Sequence, residues 1–243
     1  MVVVYCSADI ERTGLMDTEV PEPDARFIAF APLVFLAAYA AVRVAAPDLV
    51  SRLIKEDGVL EYAQVLLYGA AAGFALVVAT RWRGQRLAWA FLLFAFACGL
   101  VAVEEISWGE RLLGFDPPGA IRAHNTQDEM SFHNLAPLQR ILHPAYILVG
   151  LVGGLGWRLA TRLPAGRLGR ELRLILPDRR TTLYFLSVAV FYIWMEVTGG
   201  PTTGWLRSQD QEVFETLLAA GFAVFAWTRW RSVSSAFRET SSR

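Results

Sequence analysis

Apolar residues are concentrated in six long stretches of this chain, which are separated by shorter polar segments. The stretches cover residues 27–46, 60–80, 87–105, 142–160, 181–199 and 211–228. A helix needs roughly 20 mainly apolar residues to cross a bilayer, and the fourth and sixth stretches are the weakest candidates. One such stretch could be a buried helix of a soluble protein. Six together predict an all-α, polytopic integral membrane protein with about six transmembrane helices.

Composition agrees with this prediction, because 54% of the 243 residues are hydrophobic and the mean hydropathy is +0.36. Such a chain is too apolar for an ordinary soluble domain. We expect an acidic N-terminal tail over residues 1–26, a single transmembrane domain over 27–230 and a basic, polar tail over 231–243. Segment 108–140 is expected to form a helical or irregular outer loop. Met16 is a candidate for an alternative start of translation, and the sequence leaves the choice between Met1 and Met16 open.

Arginine is distributed unevenly among the segments that join the stretches. Segments 81–86, 158–180 and 229–243 hold three, seven and four Arg, respectively. The three alternate segments hold six Lys or Arg in total. Because Lys and Arg stay with the cytoplasmic loops, this pattern predicts a multi-pass protein of the inner membrane with both termini in the cytoplasm.

Glutamate and histidine residues gather at the other ends of the stretches. In chain order they are Glu61, Glu104, Glu105, His124, Glu129, His133, His143, Glu196, Glu212 and Glu215. If the stretches alternate in direction, all of them reach the extracytoplasmic side. Ionisable groups at membrane depth are costly and usually functional, so we predict one site there. Glu61 also has a structural explanation, since an acid in the first helical turn complements the helix dipole.

The densest polar motif, at the end of the third stretch, runs from Glu104 to Arg111. On a continuous helix Glu104, Trp108 and Arg111 would share one face, and Glu105 would point about 100° away. Two adjacent carboxylates at a helix end need a partner, water or a cation. We expect Glu104 and Glu105 to be acid/base or metal-binding groups. A surface ion pair between Glu104 and Arg111 is the alternative interpretation.

The outer loop contributes a second polar motif. Thr126 and Glu129 fit a helix capping box, which would explain Glu129 structurally. Glu129 and His133 also stand at i, i+4 spacing, where a carboxylate and an imidazole can bind one metal ion. The other two histidines, His124 and His143, fall within 20 residues of each other, on either side of His133.

A divalent metal such as Zn, Fe or Mn is therefore one cofactor that this region could hold. The candidate ligands are Glu105, Glu129, His133, His124 and His143. Their spacing matches no standard metal signature, and neutral histidines that form hydrogen bonds at the membrane interface are the competing interpretation.

Segments 104–111 (EEISWGxR) and 125–134 (NxQxExxxHN) together resemble a recurrent signature of multi-span bacterial membrane proteins with no assigned activity. Segment 56–61 (EDGxxE) resembles part of the same pattern. The resemblance covers roughly residues 55–135 and implies no function. A weaker similarity, to CAAX-type intramembrane proteases, lies in the Glu pair and the later His and Asn residues. In those proteases an Arg follows the Glu pair by four residues, whereas in this chain Arg111 follows Glu105 by six.

The size of the chain and the placement of its acids also resemble small membrane-bound terpene cyclases, which protonate an isoprenoid with buried carboxylates. We therefore favour an enzyme that acts on a lipid or isoprenoid-like substrate, as a metal-dependent hydrolase or transferase. A metal-free isoprenoid cyclase is the alternative. The predicted catalytic residues are Glu61, Glu104, Glu105, Glu129 and His133. The predicted substrate-binding residues are Trp108, Arg111, Asn125, Gln127, Asn134 and Glu215.

Two non-enzymatic classes remain open. An ion- or proton-coupled transporter would use the same acids as a relay, but the inner halves of the stretches lack charged residues that would complete a path. A non-catalytic accessory subunit would use the polar outer face to dock a membrane partner or a second copy of the chain. Membrane orientation already explains the basic segments, so no nucleic-acid partner is expected.

Overall fold

Helices follow one another along almost the whole described chain, in which no β-strand occurs. The computed structural model of the protein describes residues 25–55, 58–82, 86–125, 130–132 and 135–241. Its helices are α1 (Ala25–Ala45), α2 (Pro47–Leu53), α3 (Val59–Arg81), α4 (Arg86–Glu104), α5 (Glu110–Leu113), α6 (Gly119–Arg122), α7 (Ala136–Ala160), α8 (Arg167–Ile175), α9 (Thr182–Thr198) and α10 (Gln211–Ser241). The predicted all-α class is confirmed.

Four segments are long and apolar enough to cross a membrane, whereas the sequence predicted six. They are Ala25–Ala45, Val59–Arg81, Arg86–Glu104 and Leu168–Thr198, the last of which contains α9. The predicted fourth and sixth stretches are helical as well, in α7 and α10. Their mean hydropathy is lower because α7 carries His143, Pro144 and several glycines, and α10 begins with acids. The chain is thus a membrane protein with four clearly apolar helices.

The long helices alternate in direction. Near the starts of α3 and α10, Gln64 Nε2 donates to Glu212 Oε2 over 3.0 Å. Near the start of α7 and the end of α9, His143 Nδ1 lies 2.6 Å from Glu196 Oε1. Glu104 closes α4, so these acids share one end of the bundle. We call it the acidic end.

The opposite end, here called the arginine end, is built from aromatic and cationic side chains. Trp82, Phe91 and Phe225 form a buried cluster between α3, α4 and α10, with Trp82 packed edge-on against Phe91 at 5.9 Å. Arg179 lies over the Trp157 ring at 4.1 Å. Val233 belongs to the same buried cluster, and α10 continues to Ser241 through most of the segment predicted as a polar tail.

Helices α7 and α9 approach closely because glycines face the contact. A Cβ on Gly150 would lie 2.7 Å from the Phe185 carbonyl oxygen, and one on Gly153 would lie 2.4 Å from the Phe185 ring. Small residues at such interfaces let membrane helices pack backbone to backbone. This contact fixes His143 on α7 beside Glu196 and Tyr192 on α9.

Helix α1 lies at the edge of the bundle and exposes most of its apolar surface. Pro32 is its only buried residue, whereas Phe27 is 80% exposed. An unburied apolar helix of this length suits contact with lipid tails. Its C-terminal turn is held at the acidic end by Arg43, which pairs with Asp210.

Candidate functional site

Gln64 connects α3 to the first turn of α10 and is completely buried. Its Nε2 donates both to the Glu212 carboxylate, over 3.0 Å, and to the Glu212 backbone oxygen, over 3.3 Å. The other atom of the same amide, Oε1, is buried and accepts no hydrogen bond from any described residue. A buried acceptor without a donor is costly, so this position next to a carboxylate suits a proton donor or a cation.

Glu215 lies one helical turn beyond Glu212 and accepts a hydrogen bond from the Tyr192 hydroxyl of α9. Tyr146 of α7 stacks on the Tyr192 ring with 4.5 Å between centroids. The His143 ring is the next neighbour, 5.1 Å from the Tyr192 ring. Aromatic groups from two helices therefore border the Glu215 carboxylate and fix its orientation.

Glu105 brings α4 to the same place, since it directly follows the last residue of that helix and is affected by the charges of Glu212 and Glu215. Burial is the main reason why the pKa of the Glu105 carboxyl lies well above its ordinary value. Nearby negative charges raise this pKa further; in order of effect they belong to Glu215, Glu212, Glu61 and Glu104. We call Glu61, Gln64, Glu105, Glu212 and Glu215 the carboxylate cluster.

The cluster has the chemistry of a proton donor and acceptor. Neighbouring carboxylates in a partly desolvated site disfavour one another's ionised forms, so one of them binds a proton more readily than a free carboxyl does. A protonated carboxyl beside an ionised one forms a matched general acid and base. The predicted residues Glu61, Glu105 and Glu215 belong to this arrangement. Gln64 and Tyr192 were not predicted, because nothing local distinguishes them from other polar residues of a membrane helix.

Glu104 faces a different environment from Glu105. One of its oxygens accepts a hydrogen bond from the Trp108 indole nitrogen, and the other accepts one from the Phe132 backbone nitrogen over 2.7 Å. The residue is buried. Its carboxylate therefore anchors the outer loop to the end of α4. Trp108, predicted to contact substrate, is bound to Glu104 and packs edge-on against Phe132 at 5.9 Å.

The predicted continuous helix from Glu104 to Arg111 is wrong. Helix α4 ends at Glu104, and a 3₁₀ turn follows in which Ser107 and Trp108 have φ angles of 45° and 56°. Left-handed residues break the helical repeat, so the i, i+4, i+7 face does not extend to Arg111. That residue lies in the short helix α5, and its side chain is outside the described part of the structure.

The outer loop is held by its own side chains. Asn125 Nδ2 donates to the Ser131 backbone oxygen over 2.7 Å, and its backbone bridges to Leu135. Glu110, which the sequence analysis passed over, accepts a hydrogen bond from the Met130 backbone nitrogen over 2.6 Å. The Asn125 amide, predicted to contact substrate, thus shapes the loop. Four other predicted site residues lie outside the described residues: Gln127, Glu129, His133 and Asn134.

Neither described histidine pairs with a carboxylate of the cluster, although the His143 ring lies against Tyr192. His143 pairs with Glu196 at 2.6 Å on a partly exposed surface, and His124 is exposed. Among the described residues, no three or more His, Cys, Asp or Glu side chains are arranged to hold a metal ion. Glu105 and the two histidines therefore do not form a metal centre by themselves, and the predicted ligands Glu129 and His133 fall outside the described chain.

Comparison with known proteins finds no protein-family model, no curated protein and no solved structure that matches this chain.

Proposed function

We propose that this protein is a membrane-embedded enzyme whose carboxylate cluster performs acid/base chemistry on a lipid or isoprenoid-like substrate. One observation carries the proposal: Glu212 and Glu215 on α10 lie far along the chain from Glu105 at the end of α4, yet both carboxylates raise the pKa of Glu105. Repulsion of this kind costs stability, and such costs are concentrated at functional sites.

The roles of individual residues follow from their surroundings. Glu105 is assigned as the general acid, because burial and the neighbouring carboxylates raise the pKa of its carboxyl and so favour its protonated form. Glu215, oriented by the Tyr192 hydroxyl, is the complementary carboxylate. The stacked rings of Tyr146 and Tyr192 supply π faces, which attract a developing positive charge on a protonated substrate. A carbocation formed on an isoprenoid is one such species.

The membrane arrangement belongs to the same proposal. Six helices cross the inner membrane, namely α1, α3, α4, α7, α9 and α10, with both termini in the cytoplasm. The arginine end then faces the cytoplasm, as the preference of Arg for cytoplasmic segments favours. The carboxylate cluster lies near the extracytoplasmic surface, where a lipid-like molecule can reach it from the bilayer.

The test is conversion of candidate substrates by the purified protein in isotopically labelled water. Phospholipids and linear isoprenoids are incubated separately in D₂O and in H₂¹⁸O, and the products are identified by mass spectrometry. Protonation of a double bond places deuterium on carbon, whereas hydrolysis places ¹⁸O in a product. We expect conversion by the parent and by the Glu171→Gln variant, which is changed on α8 at the other end of the bundle.

The variants Glu105→Gln and Glu215→Gln should lose about 10²-fold or more of the rate, as expected when a general acid or base is removed. Their thermal unfolding should stay close to that of the parent. Equal conversion by the parent and both cluster variants would contradict the proposal, as would the absence of any conversion by a folded parent protein.

Cation binding by the same cluster is a second candidate, favoured by Gln64 Oε1. This buried oxygen accepts no hydrogen bond from a described residue and belongs to an amide that touches Glu212. Oxygen donors of this kind bind hard cations. Elemental mass spectrometry of the purified protein tests this. Stoichiometric metal should be lost from Glu212→Gln; a metal-free parent excludes this candidate.

A further inference from the structure

A cavity of about 500 Å³ opens at the acidic end, separate from the carboxylate cluster. It lies between the end of α1, the short helix α2 with the residues that follow it, and the connection from α9 to α10. The polar side chains that line it belong to Arg43, Ser51, Lys55, Arg207 and Gln209. The described lining residues thus include three cations, Arg43, Lys55 and Arg207, and no carboxylate.

The cation deepest in this cavity is preorganised. Arg43 is almost fully buried, and its Nη1 donates to Tyr39 over 2.7 Å and to Asp210 over 2.5 Å. The described hydrogen bonds of the Arg43 side chain involve Nη1 alone. The Nε and Nη2 groups keep three N–H donors in the fixed fork that matches a phosphate or carboxylate.

Two further cations stand at the rim. Lys55 and Arg207 are exposed, and Arg207 Nε makes only a long contact of 3.3 Å to the Gly204 oxygen. Among the ion pairs of the described residues, Asp210 pairs with Arg43, and none includes Lys55 or Arg207. If this end faces away from the cytoplasm, membrane orientation predicts few cations here, so their convergence on one cavity requires another explanation.

The surroundings of the cavity suit an amphiphile. Trp205 forms part of the wall and is 59% exposed, and Leu49 on α2 is 46% exposed. Exposed tryptophan near the end of a spanning helix is typical of the membrane interface. Gln209 lines the cavity, and Glu212, three positions later, belongs to the carboxylate cluster. The cavity and the cluster therefore lie next to each other at the start of α10.

We propose that this cavity binds the phosphate headgroup of a lipid whose apolar chain remains in the bilayer. Arg43 and the two rim cations supply the charge-assisted hydrogen bonds that phosphate prefers. The inference rests on the proposed function in one respect: it makes a phosphorylated lipid the substrate class presented to the carboxylate cluster. Headgroup binding and catalysis depend on different residues, so they can fail separately.

The experiment measures lipid retention by the full-length protein in nanodiscs of phosphatidylcholine, using native mass spectrometry. The probes are phosphatidic acid, diacylglycerol as the same lipid without phosphate, and inorganic phosphate as a competitor. The double variant Lys55→Gln/Arg207→Gln removes the rim charge at exposed positions. Arg52→Gln removes one cation from exposed surface on the same short helix, outside the cavity lining, and is the matched control.

We expect phosphatidic acid to bind the parent and Arg52→Gln equally, and the double variant at least about tenfold more weakly, since each charge-assisted hydrogen bond contributes that much. Diacylglycerol should not bind. Unchanged binding in a folded double variant overturns the inference, as does equal binding of diacylglycerol. Binding of inorganic phosphate without phosphatidic acid also overturns it, since the ligand would then be a soluble anion.

The Glu105→Gln variant separates this inference from the proposed function. It should retain phosphatidic acid as the parent does, because Glu105 does not line the cavity. Retained binding with no conversion of any lipid by the parent leaves the headgroup site standing and removes the enzyme proposal. Conversion of a lipid at a rate that does not depend on Lys55 and Arg207 leaves the enzyme proposal standing and removes the headgroup site.

Discussion

Glu104 and Glu105 are neighbours in the chain, yet their carboxylates meet different surroundings. Glu104 accepts hydrogen bonds from Trp108 and from the Phe132 backbone. Glu105 receives no hydrogen bond from a described side chain and is surrounded by other acids. The first residue is thus explained by the loop that it holds. The second has no structural explanation of this kind, which is why we assign it the chemistry.

The two residues should differ when each is replaced by glutamine. In Glu104→Gln the charged acceptor is lost, and the new amide NH₂ faces either the Trp108 indole N–H or the Phe132 backbone N–H, neither of which can accept its hydrogen. We therefore expect the free energy of unfolding to fall by about 1–3 kcal/mol. Glu105→Gln relieves repulsion and should unfold no more easily than the parent. Chemical denaturation in detergent, followed by tryptophan fluorescence, measures both. A stable Glu104→Gln protein would show that the loop anchor contributes little.

Glu105 should also make stability depend on pH. Burial and neighbouring charges raise its pKa in the folded protein above the unfolded value of about 4.3. The folded protein binds this proton more tightly than the unfolded chain does, and this stabilises the fold. The contribution is fully present below the unfolded pKa and is lost as the pH rises through the folded pKa. The free energy of unfolding should therefore fall with rising pH above about 4.3, and less steeply in Glu105→Gln. Identical slopes would assign the pH dependence to other groups.

Arg43 and Asp210 form a buried pair, with side chains 9% and 0% exposed. Removal of one partner leaves the other charge buried and uncompensated, so Asp210→Ala should lose about 3–5 kcal/mol. The double variant Arg43→Met/Asp210→Ala removes both charges and should be more stable than Asp210→Ala. A double-mutant cycle from thermal unfolding checks this. Additive effects would mean that the two charges are not coupled.

At the scale of elements, the contact between α7 and α9 depends on glycine. A Cβ at Gly153 would overlap the Phe185 ring, whereas a Cβ at Gly69 on α3 has nothing within 4 Å in the described structure. We expect Gly153→Ala to lose about 1–3 kcal/mol through overpacking. Gly69→Ala should be neutral or gain up to about 1 kcal/mol, since alanine favours the helix. Equal unfolding temperatures for the two variants would contradict this packing.

Helix positions could be predicted because they depend on local apolarity. Stretch 60–80 corresponds to α3 and stretch 181–199 to α9 within two residues. The end of α4 could not be predicted in the same way. Left-handed conformations at Ser107 and Trp108 are stabilised by long-range contacts of Glu104 and Trp108 with residue 132, which no local pattern encodes.

Over the whole molecule, the clustering of acids at one end followed from simple alternation of spans. Which residues form the carboxylate cluster could not be predicted from that alternation. Gln64, Tyr192 and Asp210 join it or its neighbouring cavity through pairings separated by 148, 23 and 167 positions, respectively. Such pairings arise from helix packing. Alternation of the spans therefore predicts at which end the acids gather, and only the packed bundle distinguishes the surroundings of Glu105 from those of Glu104.

The last prediction concerns how the bundle sits in the membrane. Arginine favours the cytoplasmic side, so Thr203, in the connection from α9 to α10, should face outward, and Thr161, which follows α7, should face the cytoplasm. Single cysteines at these positions, in a Cys6→Ser background that keeps the buried Cys98, can be treated with a membrane-impermeant maleimide in intact spheroplasts. We expect labelling of Thr203→Cys at once and of Thr161→Cys only after lysis. The reverse pattern would turn the carboxylate cluster toward the cytoplasm. Labelling of both in intact cells would contradict a spanning path between them, because α9 would then not separate the two faces.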